Sequence, residues 1–232
     1  MDVLRTPDER FAGLPGWPFA PRHLDQAADG AALTLRRHYI DEGPRDAPAT
    51  VLCLHGQPTW SYLYRKMIPV FTAAGLRVVA PDYFGRSDKP AEQGWYSFDR
   101  HRDALIDFIE RLDLRNVLLE AAAYDAPFPD ATYKAGVRAF PNLVPDSERA
   151  PGAALSRAAG VFWTDAWKGD AFMAIGMQDP VLGAAPMRAL AKRIRGCTPP
   201  LEVAEAGHFV QEWGEPIAAA ALAHFGLHAT AQ

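Results

Sequence analysis

The 232-residue sequence has only two cysteines, Cys53 and Cys197, too few for a disulfide framework and without the spacing of a metal site. It has no basic excess either. Its 24 Lys and Arg stand against 28 Asp and Glu, a net charge of −4, so nothing supplies the positive field that a nucleic-acid partner requires. No apolar run approaches the roughly 18–20 residues needed to cross a bilayer, and no membrane association is expected. The opening stretch MDVLRTPDERF is charged and lacks an apolar h-region, so no secretory leader is expected and the cytoplasm is the expected location. Internal repeats and low-complexity tracts are absent. Against these absences stands an ordinary globular composition, 49% hydrophobic and 22% charged, in a chain long enough to bury one substantial core.

Glycine and proline fall between the periodic segments, as turn punctuation does. Leu33–Gly43 alternates like a strand ending in a turn. Ala49–Gly56, ATVLCLHG, is a continuous apolar run suited to a strand buried on both faces of a parallel sheet. Cys53 lies inside it as a small core residue. Ser61–Gly75 reads as one helix, kinked at Pro69 and closed by Gly75. Leu76–Asp82 is a second buried strand. Ser97–Leu114 is an amphipathic helix with Leu105, Ile109 and Leu112 on one stripe. Asn116–Leu119 reads as a strand, followed by helical stretches at Ala131–Val144 and Gly152–Trp167, with Trp163 and Trp167 expected in the core. Ala171–Met177 and the short LEVAEAGH are further strands, while PMRALAKRIRG and EPIAAAALAHFG are helices. This alternation predicts an α/β fold with a mainly parallel sheet, whose chemistry lies beyond the carboxyl ends of its strands.

Three strand ends carry polar groups. In LHGQPTW, the turn after His55 can aim a backbone N–H at a developing negative charge, or His55 can simply cap its strand. Asp179 in MQDPVLG precedes a proline, ordinarily a turn position. His208 in EAGHFVQE follows the last strand. An acid followed later by a histidine fits the chain order nucleophile, acid, histidine. The acid would hold the imidazole, and His208 would act as a base toward water. The scheme needs a nucleophile on a sharp elbow after the strand Asn116–Leu119.

The segments HGQPTWSYLYRKMIPVF, RSDKP, FIERLDLRNVLL, APFPDATYKAGVRAFPNLV, FMAIGMQDPVLG and AGHFVQEWGE resemble the haloalkane dehalogenases, hydrolases of the α/β-hydrolase fold. The resemblance covers nearly the whole chain on both sides of residues 120–123. It implies a small halogenated alkane and water as substrates, with no cofactor or metal. An aspartate displaces halide to form an ester, which a histidine-activated water then hydrolyses. A carboxylate of pKa near 3.9 is already ionised at neutral pH, so the histidine serves only the second step. Carried over by position, the resemblance implies His208 as base, Asp179 as its partner acid and Gln57 as oxyanion or halide donor. Phe140, Pro141, Val144, Val181 and Leu182 match pocket-lining positions, which plain core packing would explain equally.

In the family the strand matching Asn116–Leu119 runs into a Q-D-W-G-G elbow, whose Asp is the nucleophile and whose Trp binds halide. An elbow helix, a further strand and the first part of a helical cap follow. Here VLLE joins almost directly to AAAYDAPFPD, so several tens of residues are absent and the nucleophile position falls on Ala123. Asp125 is the nearest carboxylate on one side and a weak substitute, because it is followed by Ala-Pro, and proline cannot donate an oxyanion N–H. Glu120, on the other side, is weaker still. The stretch PDYFGRSDKP also lacks the family's second glycine.

The expectation is therefore an α/β-hydrolase sheet flanked by helices, with core segments at 1–120 and 169–232 and a truncated helical cap at 121–168. Little or no dehalogenase turnover is expected. The alternatives are a folded, non-catalytic relative that binds an apolar ligand or a partner, and an internally deleted chain without function. Lost core side chains cost roughly 2–5 kcal/mol each against a domain total of about 5–15 kcal/mol. A monomer is the family default, and a segment-swapped dimer is one route to refilling the space.

Overall fold

Strands form where β-branched and small apolar residues can be buried on both faces. The computed structural model describes residues 1–28, 33–56, 59–85, 88–122, 139 and 147–227. Its strands are β1 (Val3–Arg5), β2 (Arg22–Ala28), β3 (Leu33–Glu42), β4 (Thr50–His55), β5 (Arg77–Pro81), β6 (Asp88–Pro90), β7 (Val117–Ala122), β8 (Ala174–Gly176) and β9 (Leu201–Val203). The main sheet has the order β2-β3-β5-β4-β7. Its β4–β5 and β4–β7 pairs are parallel, and β2–β3 and β3–β5 are antiparallel. The α/β layering expected from the sequence is present, in a mixed sheet.

All five residues of β5 are buried. On one face Val51, Cys53, Val78 and Ala80 pack with Tyr64, Met67, Phe71 and Leu222. On the other, Leu52 and Val79 pack with Tyr39, Phe108 and Leu114. The buried Arg77 is held by Asp41 through two hydrogen bonds of 2.8 and 3.0 Å.

Helices cover both faces: α1 (Ile68–Ala73), α2 (Phe98–Arg111), α3 (Ala153–Val161), α4 (Ala184–Arg193) and α5 (Gly214–His224). The single helix expected over Ser61–Gly75 is instead a 3₁₀ turn, Ser61–Lys66, followed by α1. Pro69 has no N–H to continue an earlier helix but fits the first turn of a new one, where no partner is needed. Gly75, at φ +79°, ends it. Ser97 caps α2, its Oγ accepting from the Arg100 N–H at 3.2 Å. α3 runs into a wider π-type turn at Phe162–Ala166. The helix expected over Ala131–Val144 lies outside the described residues.

β7 pairs only with β4 among the described residues, and β8 and β9 form a separate parallel pair. The strand expected over Ala171–Met177 is thereby shortened to three residues, extended by one bridge between Ala171 and Cys197. No described helix is long and apolar enough to cross a membrane, and no group of three or more metal-ligating side chains occurs among the described residues.

Candidate active site

The loops after β8 and β9 are forced together by a glycine. A Cβ on Gly176 would lie 2.0 Å from the Gly207 carbonyl oxygen and 2.8 Å from that of Ala206, closer than any side chain tolerates. The Met177 N–H donates to the Val203 carbonyl at 3.0 Å, and the Gln178 N–H to the Ala206 carbonyl at 2.8 Å. These contacts set the turn that begins at Asp179 beside the loop that carries His208.

The two side chains meet at 2.8 Å, His208 Nδ1 to Asp179 Oδ2. Asp179 Oδ1 accepts from the backbone N–H groups of Val181, at 2.7 Å, and Leu182, at 3.0 Å. Both carboxylate oxygens are therefore engaged, and the group cannot rotate without losing a bond. Burial pushes the Asp179 pKa up, but the two N–H donors and His208 outweigh it and hold the carboxyl below its usual range. An ionised, immobilised carboxylate at Nδ1 fixes the ring and leaves Nε2 as the nitrogen that can exchange a proton. The Asp179 side chain is 6% exposed and that of His208 30%, so the base, not the acid, faces solvent.

The other expected site residues are dispersed. Val181 and Leu182 hold Asp179 through their backbone, while their side chains are 68% and 49% exposed. Gln57, Asp125, Phe140, Pro141 and Val144 lie outside the described residues. Glu120 is on β7 and makes no hydrogen bond or ion pair with His208 among the described residues. Among the described residues the only carboxylate hydrogen-bonded to His208 is that of Asp179. Burial pushes the Glu120 carboxyl up to about 7, against the opposing effect of the Gln211 amide. Part of this residue's surface is accessible because it borders a cavity of about 280 Å³ between β7 and the segment leading into β8. Trp163 and Trp167, expected in the core, stand at the wall of that cavity instead.

His55 is a strand cap. Its Nδ1 contacts the Gly56 carbonyl at 3.0 Å, and its Nε2 accepts from the Tyr83 N–H at the same distance, which fixes a neutral tautomer. The sequence reading missed a second acid–histidine pair, His38 Nδ1 to Asp82 Oδ2 at 2.9 Å, in which Asp82 Oδ1 also accepts from the Ser61 N–H at 2.7 Å. Asp82 follows β5 as Asp179 follows β8, so the same inspection of strand ends could have found it. This pair borders a second cavity, of about 380 Å³, walled by Phe11, Trp17, Phe19 and Trp60.

A family model for the alpha/beta hydrolase fold matches residues 49–120. A haloalkane dehalogenase of Mycobacterium marinum is 39% identical over 294 aligned positions, covering 93% of this chain and 97% of the relative. Another, from Psychrobacter cryohalolentis, is 35% identical and covers 94% and 96%. Among solved structures, the tetrameric haloalkane dehalogenase DpaA from Paraglaciecola agarilytica matches with a TM-score of 0.89 at 40% identity, covering 96% of this chain and 98% of that one. Of the 232 residues, 93% is about 216, so about 78 of the 294 positions aligned with the M. marinum protein have no counterpart here. That number is of the same order as the several tens of residues that the sequence pattern lacks after Leu119.

Proposed function

This chain belongs to the haloalkane dehalogenase family, and from that premise we propose that it keeps the water-activating half of the dehalogenase site and lacks the half that attacks the alkyl halide. The observation that carries the proposal is the Asp179–His208 pair, with both carboxylate oxygens tied down and the imidazole partly exposed. In the full reaction a carboxylate oxygen attacks the halogen-bearing carbon, halide leaves with the bonding pair, and an alkyl ester forms. His208 Nε2 then takes a proton from water while the water oxygen adds to the ester carbonyl, and the alcohol departs. Asp179 stabilises the imidazolium during that second step.

The first step needs an ionised carboxylate at the end of β7. Ala123 stands at the matching position and has none to offer. Glu120 lies further back in the strand, and burial pushes its pKa up to about 7, against the ionised form that attack requires. The expected behaviour is therefore negligible halide release from dichloroethane or bromobutane, with His208→Ala no lower than the parent chain. Halide release that disappears in His208→Ala would overturn the proposal, and loss of the same activity in Asp125→Asn would identify the substitute nucleophile.

A further inference from the structure

The cavity between β7 and the segment leading into β8 has a lining unlike that of a plain packing void. Its apolar wall is formed by Phe71, Phe172, Leu222 and Phe225. Two carboxylates, Glu120 and Asp170, also border it, and among the described residues no Lys, Arg or His does. Asp170 makes no ion pair or hydrogen bond among the described residues and is exposed at the rim. Trp163 and Trp167 form a corner, their ring centres 5.0 Å apart and their planes inclined at 59°. Phe162 backs them, with ring centres 5.3 and 5.9 Å away. The indole Nε1 of Trp167 is buried without a hydrogen-bond partner. The ring's position depends on Gly169, where a Cβ would come within 2.5 Å of it.

Glu120 is engaged by the Gln211 amide, which leaves Asp170 as the carboxylate at this cavity without a partner among the described residues. Indole faces carry negative quadrupole potential and attract cations, most strongly where water is partly excluded. Two such faces beside an uncompensated carboxylate, opening onto an apolar pocket, form a complementary environment for a cation with a hydrocarbon surface. A volume near 280 Å³ lies just under the roughly 300–1,000 Å³ of drug-sized sites, which sets the ligand's size as small.

We propose that this cavity binds a small organic ammonium ion, a quaternary or tertiary amine, with its head in the Trp163–Trp167 corner beside Asp170 and its apolar part toward Phe172, Leu222 and Phe225. None of these residues takes part in the Asp179–His208 pair, so the inference stands apart from the dehalogenase reading.

The test is calorimetric titration of the full chain with choline and, in parallel, with neohexanol, the uncharged isostere in which carbon replaces the ammonium nitrogen. Indole fluorescence is followed on the same samples. Choline should bind at least tenfold more tightly than neohexanol and quench the indole emission. Asp170→Asn, at an exposed position that leaves folding untouched, should weaken choline about fivefold without changing neohexanol. Trp163→Leu should weaken choline at least tenfold. Equal affinity for the two ligands would reduce the cavity to an apolar void and overturn the proposal. So would the absence of any binding, or choline binding that Asp170→Asn leaves unchanged.

Discussion

Glu120 and Asp179 are both carboxylates near strand ends, and their surroundings push them in opposite directions. Asp179 is surrounded by donors that favour its charge, whereas Glu120 faces chiefly apolar side chains and a single opposing amide. The Glu120 pKa in the folded chain, about 7, lies above its ordinary 4.5. The folded state therefore binds this proton more tightly than the unfolded one. The resulting stability is fully present below pH 4.5 and is lost as the pH rises through about 7. The loss is at most about 3 kcal/mol, reduced by whatever access the cavity gives to solvent. Urea unfolding of Glu120→Gln and the parent chain should give curves of stability against pH that diverge across this window. Parallel curves would show that the carboxyl is solvated. A second carboxylate carries a structural load: Asp41→Ala leaves Arg77 buried without its partner, which costs about 3–5 kcal/mol. At about 2–4 °C per kcal/mol, the melting temperature should fall by 6 °C or more. Asp179 and His208 could be picked out from the sequence because each stands a few residues beyond an apolar strand. The carboxyl environment of Glu120 could not, because it is made by Gln211 and Cys53, distant in sequence, and by the cavity beside it.

The elements that were legible are those whose signal is local. The apolar runs of β4 and β5 and the capped, striped helix α2 follow from composition and spacing alone. β2, RHLDQAA, was missed because it is mostly polar and held by pairing with β3 along its full length. The extent of β8 was overread because a strand's length depends on its neighbour, and β9 offers only three residues. Among the described residues β7 is an edge strand of the main sheet with apolar side chains exposed. Val117 is 38% and Leu119 59% exposed, and the strand contains no proline or lysine to discourage pairing with another edge. Leu119→Lys should lower both hydrophobic-dye binding and the tendency to aggregate on heating, with an unchanged circular dichroism spectrum. Unchanged dye binding would mean that the edge is covered in solution.

For the molecule as a whole, the decisive feature is the division of the sheet. Five strands share one hydrogen-bonded ladder, while β8 and β9, which set Asp179 beside His208, form a ladder of their own. Local opening is easiest where few buried contacts and short pairings hold a segment. Amide exchange followed by mass spectrometry should therefore show β8 and β9 exchanging well before β4 and β5. Equal protection would show that the two ladders open as one unit. The family, the layering and the acid–histidine pair were all legible in the sequence. The cavity was not, because a void is a property of what surrounds it, and Trp163 and Trp167 gave only the periodicity of a helix.

The order in which the core is assembled has a further consequence, during synthesis. All five strands of the main sheet lie before residue 123, yet the face formed by Val51, Cys53 and Val78 is covered in part by Ile217, Ala218 and Leu222 of α5, near the chain's end. Roughly a hundred residues separate β7 from the end of α5, so at about 5–20 residues per second the nascent sheet waits about 5–20 s for its cover. During that interval its apolar face is open to the ribosome surface, to chaperones and to neighbouring nascent chains, and slower translation of the second half would lengthen the exposure.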